Sequence, residues 1–351
     1  MGKNVLKSPG LDLEGPSVLL RSLALLFLLL AGIMSVDAED VRMKILKELN
    51  MRRIPHISQW NISQIEYETK HREYFDLVEQ NQRRRLNSSL NYDEENIVRK
   101  KLYTFTHSGL KNSPSKNLGI RIFNYNIYIP GEDNKHTEVE DSSLRFLIVP
   151  RSCATEKKLV TLTVLKTSDG TTLRKETLVL DKCLPKWIGL DLLDATFNLK
   201  TPNFMMSILC DGCTEHDMEI ADPYLNVIVN VKPRLRRRRA EKKKRRRFPG
   251  KCVRHPWEVD LGKLKGYEYI VQPRKFDAGL CAGRCTGQWN LATQHSNLQY
   301  LFSNIDKTIP KPCCAPSKME SLEILYPDED NPKKLKVSVW NDTKIVECAC
   351  S

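Results

Sequence analysis

Across 351 residues there is no P-loop, no dinucleotide-binding glycine fingerprint, and no nucleophile paired with a base in recognisable context. The seven histidines show neither zinc-ligand spacing nor a triad-like arrangement. These absences exclude nucleotide-dependent and metal-dependent chemistry of the familiar kinds, and leave a secreted hydrolase without its machinery. No catalytic residue, metal or cofactor is expected. Long apolar runs are equally scarce, since no stretch approaches the ~20 residues of a membrane-spanning helix. Arg-Gly-Asp is missing too, so integrin-driven release by that motif is not implied.

One short apolar run does occur, Leu23 to Met34, preceded by Lys3, Lys7 and Arg21 and followed by Val36-Asp37-Ala38. At about 12 residues it is too short to span a bilayer, and a small residue closes it. It reads as a signal peptide, residues 1–38. A soluble secreted product is expected, and secretion places the cysteines in an oxidising compartment. Asn61-Ile62-Ser63, Asn87-Ser88-Ser89 and Asn341-Asp342-Thr343 are then glycosylation acceptors.

The formal charge of +13 invites a nucleic-acid reading, but its distribution argues against one. From Lys232 to Arg247 there are 12 Lys or Arg and one acid, Glu241, which leaves +2 to the rest of the chain. Such a run is solvated, self-repelling and extended, as a protease substrate must be. Arg236-Arg237-Arg238-Arg239 puts arginine at the first and fourth positions before Ala240 and resembles a furin-type convertase site. Arg245-Arg246-Arg247 before Phe248 is a second candidate. Cleavage after Arg239 keeps Lys242 to Arg247 on the product as a basic arm; cleavage after Arg247 removes it. The longer form is expected to bind heparan sulfate through counterion release.

Seven of the eleven cysteines lie in the last hundred residues: Cys252, Cys281, Cys285, Cys313, Cys314, Cys348 and Cys350. Six make three bridges, and an odd one in a secreted chain suggests a bond to a second chain. Bridging the pairs 281/285 and 348/350 to each other closes a small ring. A third disulfide passes through it only if the lining is thin, and Gly283, lacking a Cβ, sits where the lining is otherwise thickest. The pattern predicts a knot. Spacing alone leaves on the order of a hundred pairings open.

Cys281-Ala282-Gly283-Arg284-Cys285, Cys313-Cys314-Ala315-Pro316 and the closing Cys348-Ala349-Cys350-Ser351 resemble the cystine-knot growth factors of the transforming growth factor-β superfamily. His255-Pro256, Val259-Asp260, Ile270-Val271 with Pro273, Ile309-Pro310-Lys311 and Leu325-Tyr326 are similar as well. The resemblance implies bridges Cys252–Cys314, Cys281–Cys348 and Cys285–Cys350, with Cys313 joining two protomers into a homodimer. It also implies an all-β mature part at 248–351 with one wrist helix and two fingers, Val253 to Leu280 and Leu322 to Glu347. Such ligands are cut from a precursor and assemble type I and type II serine/threonine kinase receptors, the SMAD pathway. Receptor-binding residues implied at the wrist are Tyr269, Trp289, Leu298 and Phe302; on the knuckles they are Gln272, Leu325 and Val337. The chain departs from the family where paired tryptophans give way to Gly266-Tyr267-Glu268-Tyr269, and where a small knuckle residue becomes Glu323.

Leu298, Leu301, Phe302 and Ile305 recur at helical spacing, with Ser296 or Asn297 as the expected cap. A monomer has no core for that stripe, so the helix argues for a dimer independently of Cys313. The flat fingers bury little, and the knot is expected to substitute for a core.

Residues 39–231 resemble the superfamily's prodomain, an α+β segment that carries the ligand after cleavage. Val41, Ile45, Leu46 and Leu49 mark a short amphipathic helix over 40–51, ended by Pro55. Residues 64–100 are charged and read as helix, then loop. From Lys101 short alternating stretches predict an antiparallel β arm domain. Four cysteines fall here, Cys153, Cys183, Cys210 and Cys213; Cys210-Asp211-Gly212-Cys213 lacks partners for a zinc site and is expected to bridge two prodomains. The competing reading is a secreted cystine-knot antagonist or matrix protein that binds growth factors without signalling. The basic tract and the unpaired cysteine disfavour it.

Overall fold

The computed structural model describes residues 46–49, 51–55, 59–87, 98–112, 119–128, 137–151, 158–180, 183–192, 203–212, 218–231, 250–264, 266–286 and 290–351. The expected signal peptide, the basic tract with Arg236, Arg239 and Arg247, and Cys153, Cys213 and Trp289 lie outside these residues. Residues 53–351 form one compact unit; residues 1–52 form another, of which a helical turn at 46–48 is described.

In the larger unit a helix, α1 (Gln64–Asn87), precedes eight strands. They are β1 (Arg99–Asn112), β2 (Gly119–Asn126), β3 (Thr137–Pro150), β4 (Lys158–Lys166), β5 (Thr172–Leu180), β6 (Lys186–Asp191), β7 (Asn203–Asp211) and β8 (Met218–Val231). They form one sheet in the order β5-β4-β7-β2-β1-β8-β3-β6, with antiparallel pairing throughout. An antiparallel sheet thus stands where the alternating pattern predicts short strands. Phe123 and Tyr125 of β2, Val160 and Leu162 of β4 and Met206 and Ile208 of β7 share one buried cluster with Leu144 and Phe146 of β3 and Leu225 and Val227 of β8. The two halves of the sheet thus face each other across a common core.

Strand periodicity explains what happens on the other face. On β8, Leu225, Val227 and Val229 point into that core, while Asn226 and Ile228 between them meet α1. On β3, Leu144, Phe146 and Ile148 point inward, and Ser143 and Arg145 face Tyr67 of the helix. Arg145 lies 4.4 Å from the Tyr67 ring centroid and donates to the Ile62 carbonyl. Its neighbour across the β3–β6 ladder is Gly189, where a Cβ would stand 2.8 Å from the Arg145 guanidinium. A side chain at this position would push the arginine from its place.

Helix α1 starts where Ser63 Oγ accepts the Glu66 amide at 3.2 Å, the serine half of a capping pattern. Tyr67, His71, Tyr74, Phe75 and Val78 make a buried stripe at helical spacing. The opposite face is charged and tied by Arg72–Glu68 and Arg83–Glu79, pairs four residues apart.

The carboxy-terminal part has short strands β9 (Val253–His255), β10 (Glu258–Asp260), β11 (Lys275–Asp277) and β12 (Leu280–Ala282), a helix α2 (Gln294–Ile305), and a long hairpin of β13 (Cys314–Pro327) and β14 (Leu335–Cys350). β10 pairs with β11 and β12 with β9, so the first finger is a broken ribbon and the second a continuous one. The cap of α2 is Thr293, not Ser296 or Asn297. Thr293 is extended and its Oγ1 accepts the Ser296 amide at 3.1 Å, which puts Ser296 within the first turn.

Candidate functional site

Three disulfides organise the carboxy-terminal part: Cys252–Cys314, Cys281–Cys348 and Cys285–Cys350, with sequence separations of 62, 67 and 65. The buried cluster at their centre consists of Cys252, Cys348 and Cys350, flanked by the remaining bridged cysteines, Leu291 and Ile345. The sulfurs of Cys252, Cys285 and Cys350 lie within 4.8 Å of one another. All three are bridged, so this crowding is disulfide packing, not a metal site. Closing a loop of this length contributes about 4 kcal/mol in the chain-entropy model.

The amino-terminal strand of the knot runs beside Gly283. The Cys252 amide donates to the Arg284 carbonyl at 3.2 Å, and the Arg284 amide to Gly250 at 2.9 Å. At Gly283 φ is +131°, and a Cβ would stand 2.8 Å from the Cys252 nitrogen. The position needs glycine for both conformation and space. Cys313 is the one unpaired cysteine among the described residues, and it is exposed. Reciprocal backbone hydrogen bonds with Ser351 hold it beside the end of β14.

Two surfaces of this part differ in what covers them. The apolar stripe of α2 is open, with Leu298 54%, Phe302 52% and Ile305 80% exposed. Leu301 is exposed as well. The convex side of the hairpin is closed. Leu325 and Leu335 are buried in one cluster with Ile62, Tyr67, Tyr74, Phe75 and Val78 of the α1 segment, and Val271 and Val337 pack against it. Gln272 is 1% exposed; its Nε2 donates to Asp141 Oδ2 of β3 at 2.9 Å. Arg274 pairs with Asp191 of β6.

The hairpin's turn is gripped in the same way. Arg53 donates from its amide to Glu329 Oε2 and from its guanidinium to the Glu329 carbonyl, each at 3.1 Å. The Asn61 amide donates to the Pro332 carbonyl at 2.9 Å. Glu66 pairs with Lys334 at 3.0 Å and accepts the Leu335 amide at 3.1 Å. Farther along the helix, Arg85 Nη2 reaches Glu323 at 2.7 Å while its Nη1 reaches Glu320 at 3.3 Å. Glu323 is 3% exposed and also accepts from Asn81 Nδ2 at 2.8 Å.

Burial disturbs several groups along this contact, an acid and a histidine among them. Desolvation, with help from neighbouring Asp191, raises the Asp141 carboxyl to about 7, against the pull of Arg274. Burial also lowers His71 to about 3, although its Nδ1 bonds the Tyr67 carbonyl at 2.8 Å.

Residues 251–350 match the family model described as "Transforming growth factor beta like domain". This part of the chain belongs to the transforming growth factor-β superfamily. Bone morphogenetic protein 3 of Xenopus laevis is 33% identical over 107 residues, covering 29% of this chain and 23% of that protein. Its counterpart in Mus musculus is 34% identical over 107 residues, covering 29% and 22%. Growth/differentiation factor 10 of Mus musculus is 35% identical over 117 residues, covering 31% and 24%. The matched stretch spans about a quarter of the length of each relative.

Within this growth factor domain the six bridged cysteines pair as the resemblance implied, and Leu298 and Phe302 lie together on the open helix. Tyr269 needs correction. It is buried, packed edge-on against Tyr326 with ring centroids 6.4 Å apart, because the first finger folds in against the second. Gln272 and Leu325 are likewise not exposed anchors in this chain, because α1 and the arm sheet cover them. The Asn61 side chain is engaged at both ends, donating to the Pro185 carbonyl at 3.3 Å and accepting the Trp187 amide at 2.8 Å. Asn341 is exposed. Cys183 and Cys210 each take part in a disulfide within the single chain, which leaves Cys210 no free thiol for the expected bridge between copies. The covering stripe of α1 and the Asp141 and Asp191 contacts were not anticipated. The stripe is visible in the spacing of Tyr67, Tyr74, Phe75 and Val78, whereas no local signal ties two acids of the arm to a finger.

Proposed function

We propose that this chain is the precursor of a secreted, disulfide-linked dimeric growth factor. A furin-like convertase cuts the basic tract between residues 232 and 247, at Arg239 or Arg247, and separates the prodomain, residues 39–231, from the growth factor at 248–351. The released dimer gathers type I and type II serine/threonine kinase receptors and starts SMAD signalling. Holding two copies of each receptor site at fixed spacing raises apparent affinity through effective concentration. A product cut after Arg239 keeps its basic arm and binds heparan sulfate in a salt-dependent way. Glycans are proposed at Asn87 and Asn341.

The observation that carries this reading is the open apolar stripe of α2 on a domain whose one free cysteine is exposed. A helix left with Phe302 and Ile305 exposed has no core among the described residues, and a second copy supplies one. Secretion of wild type and Cys313→Ser tests it. The expected wild-type product is a covalent dimer that activates a SMAD reporter in receptor-bearing cells. The variant is expected as monomer-sized bands on non-reducing gels, with activity at least about tenfold lower. Covalent dimers persisting in the variant would move the interchain role to another cysteine. A wild-type dimer that silences the reporter would favour the antagonist reading.

A further inference from the structure

Glu323 is an unusual residue to bury on a binding surface. Its side chain is 3% exposed, amid Leu322, Ile324 and Leu325, which are also buried. Lys344 of the same hairpin stands 3.9 Å from one carboxylate oxygen, and burial holds that ammonium below its ordinary range. The other oxygen takes the Arg85 guanidinium and the Asn81 amide, both from α1. The same guanidinium reaches Glu320 and donates to the Ser321 carbonyl at 3.1 Å. One arginine therefore answers three acceptors on the hairpin. Beside it, Phe75 and Val78 fill the apolar ground around Leu325 and Leu335.

We infer that Glu320 and Glu323 form a cation slot on the knuckle, and that the extracellular protein partner docking there after processing brings a guanidinium or ammonium to the place Arg85 holds in the precursor. This rests on the growth factor reading above. Once α1 leaves, two carboxylates face the single ammonium of Lys344, and water rehydrates them. A partner that covers the knuckle must strip that water again. A partner whose contact surface is wholly apolar would bury an unbalanced carboxylate, which is strongly unfavourable. A partner with a cation flanked by aromatic or aliphatic side chains reproduces what α1 offers. The slot thus selects by exclusion as much as by attraction.

The test uses four full-length secreted proteins: wild type, Arg85→Glu, Glu323→Arg, and the double charge swap. Two readouts are taken, retention of the prodomain on the cleaved growth factor and binding of the secreted product to receptor-bearing cells. Both single variants are expected to lose prodomain retention by tenfold or more, and the swap to regain most of it, which also shows that both variant halves fold. Cell binding is expected to separate the two single variants. Arg85→Glu, with its slot intact and uncovered, should bind cells better than wild type. Glu323→Arg, equally uncovered, should bind at least tenfold less well than Arg85→Glu. Equal gains in both single variants would overturn the inference, because Glu323 would then serve the prodomain alone. Undiminished retention in Arg85→Glu would overturn the slot itself. Failure of both wild type and Arg85→Glu to bind any cell would sink the growth factor reading, and this use of the slot with it.

Discussion

Asp141 shows how a single residue can make the docking of two parts depend on acidity. Its carboxylate is closed in by Gln272 and Arg274 of the first finger, by Asp191 of β6, by Glu140 and by the Ser142 amide. In the docked state it titrates at about 7; with the finger gone it regains water and the ordinary carboxylate range near 4. The docked pKa lies above the free one, so docking takes up a proton between about pH 4 and 7. Contact between arm and finger therefore strengthens as pH falls through that window, and above 7 it is constant and weakest. His71 acts in the opposite sense. Its ring is held neutral to about pH 3, so the docking of α1 on the arm loses stability as pH falls below about 6.5. The two are separable by substitution. Retention of the prodomain on the cleaved protein should tighten on the order of tenfold between pH 7.5 and 5.5 in wild type and stay flat in Asp141→Asn. A wild type as flat as the variant would mean that the carboxyl is ionised within the contact.

Among the elements, α1 supplies the apolar stripe that joins arm and hairpin. Phe75 is buried in the cluster that joins arm, helix and hairpin. Phe75→Ala should weaken prodomain retention by about 3 kcal/mol, roughly a hundredfold, without changing the dimer bands of the growth factor. Retention within threefold of wild type would place the main contact elsewhere, at the turn held by Arg53 and Glu66. How far each element can be read from its own residues follows from how local its causes are. The alternation of Leu225, Val227 and Val229 marks β8 outright, and the spacing of Leu298, Phe302 and Ile305 marks α2. Residue type alone does not place the cap of α2, because Thr293, Ser296 and Asn297 all suit the role, and the extended backbone at Thr293 decides between them. The polar start of β3, Thr137 to Asp141, has no strand signal of its own and exists through its ladder with β8. At the site, cysteine spacing and Gly283 make the knot legible, while the pairing came from resemblance. The cover over Gln272 and Leu325 was illegible, since it joins residues more than a hundred positions apart.

At the scale of the molecule, the chain holds its growth factor domain with one face shut and another open. The knuckle side is closed by α1, the arm and the segment from Arg53 to Glu66; the α2 stripe is exposed, and on the proposed reading a second copy covers it. On the proposed reading, dimerisation needs no prior cleavage, whereas binding at the knuckle requires the proposed prodomain to move. The most direct measurement is a binding panel of type I and type II serine/threonine kinase receptor ectodomains against the secreted dimer before and after cleavage in the basic tract and removal of the prodomain. The expected result is at least one receptor of each type bound by the freed dimer, with the knuckle-binding receptor excluded by the intact precursor. A freed, correctly bridged dimer that binds none of them would contradict the reading of this chain as a receptor-assembling ligand.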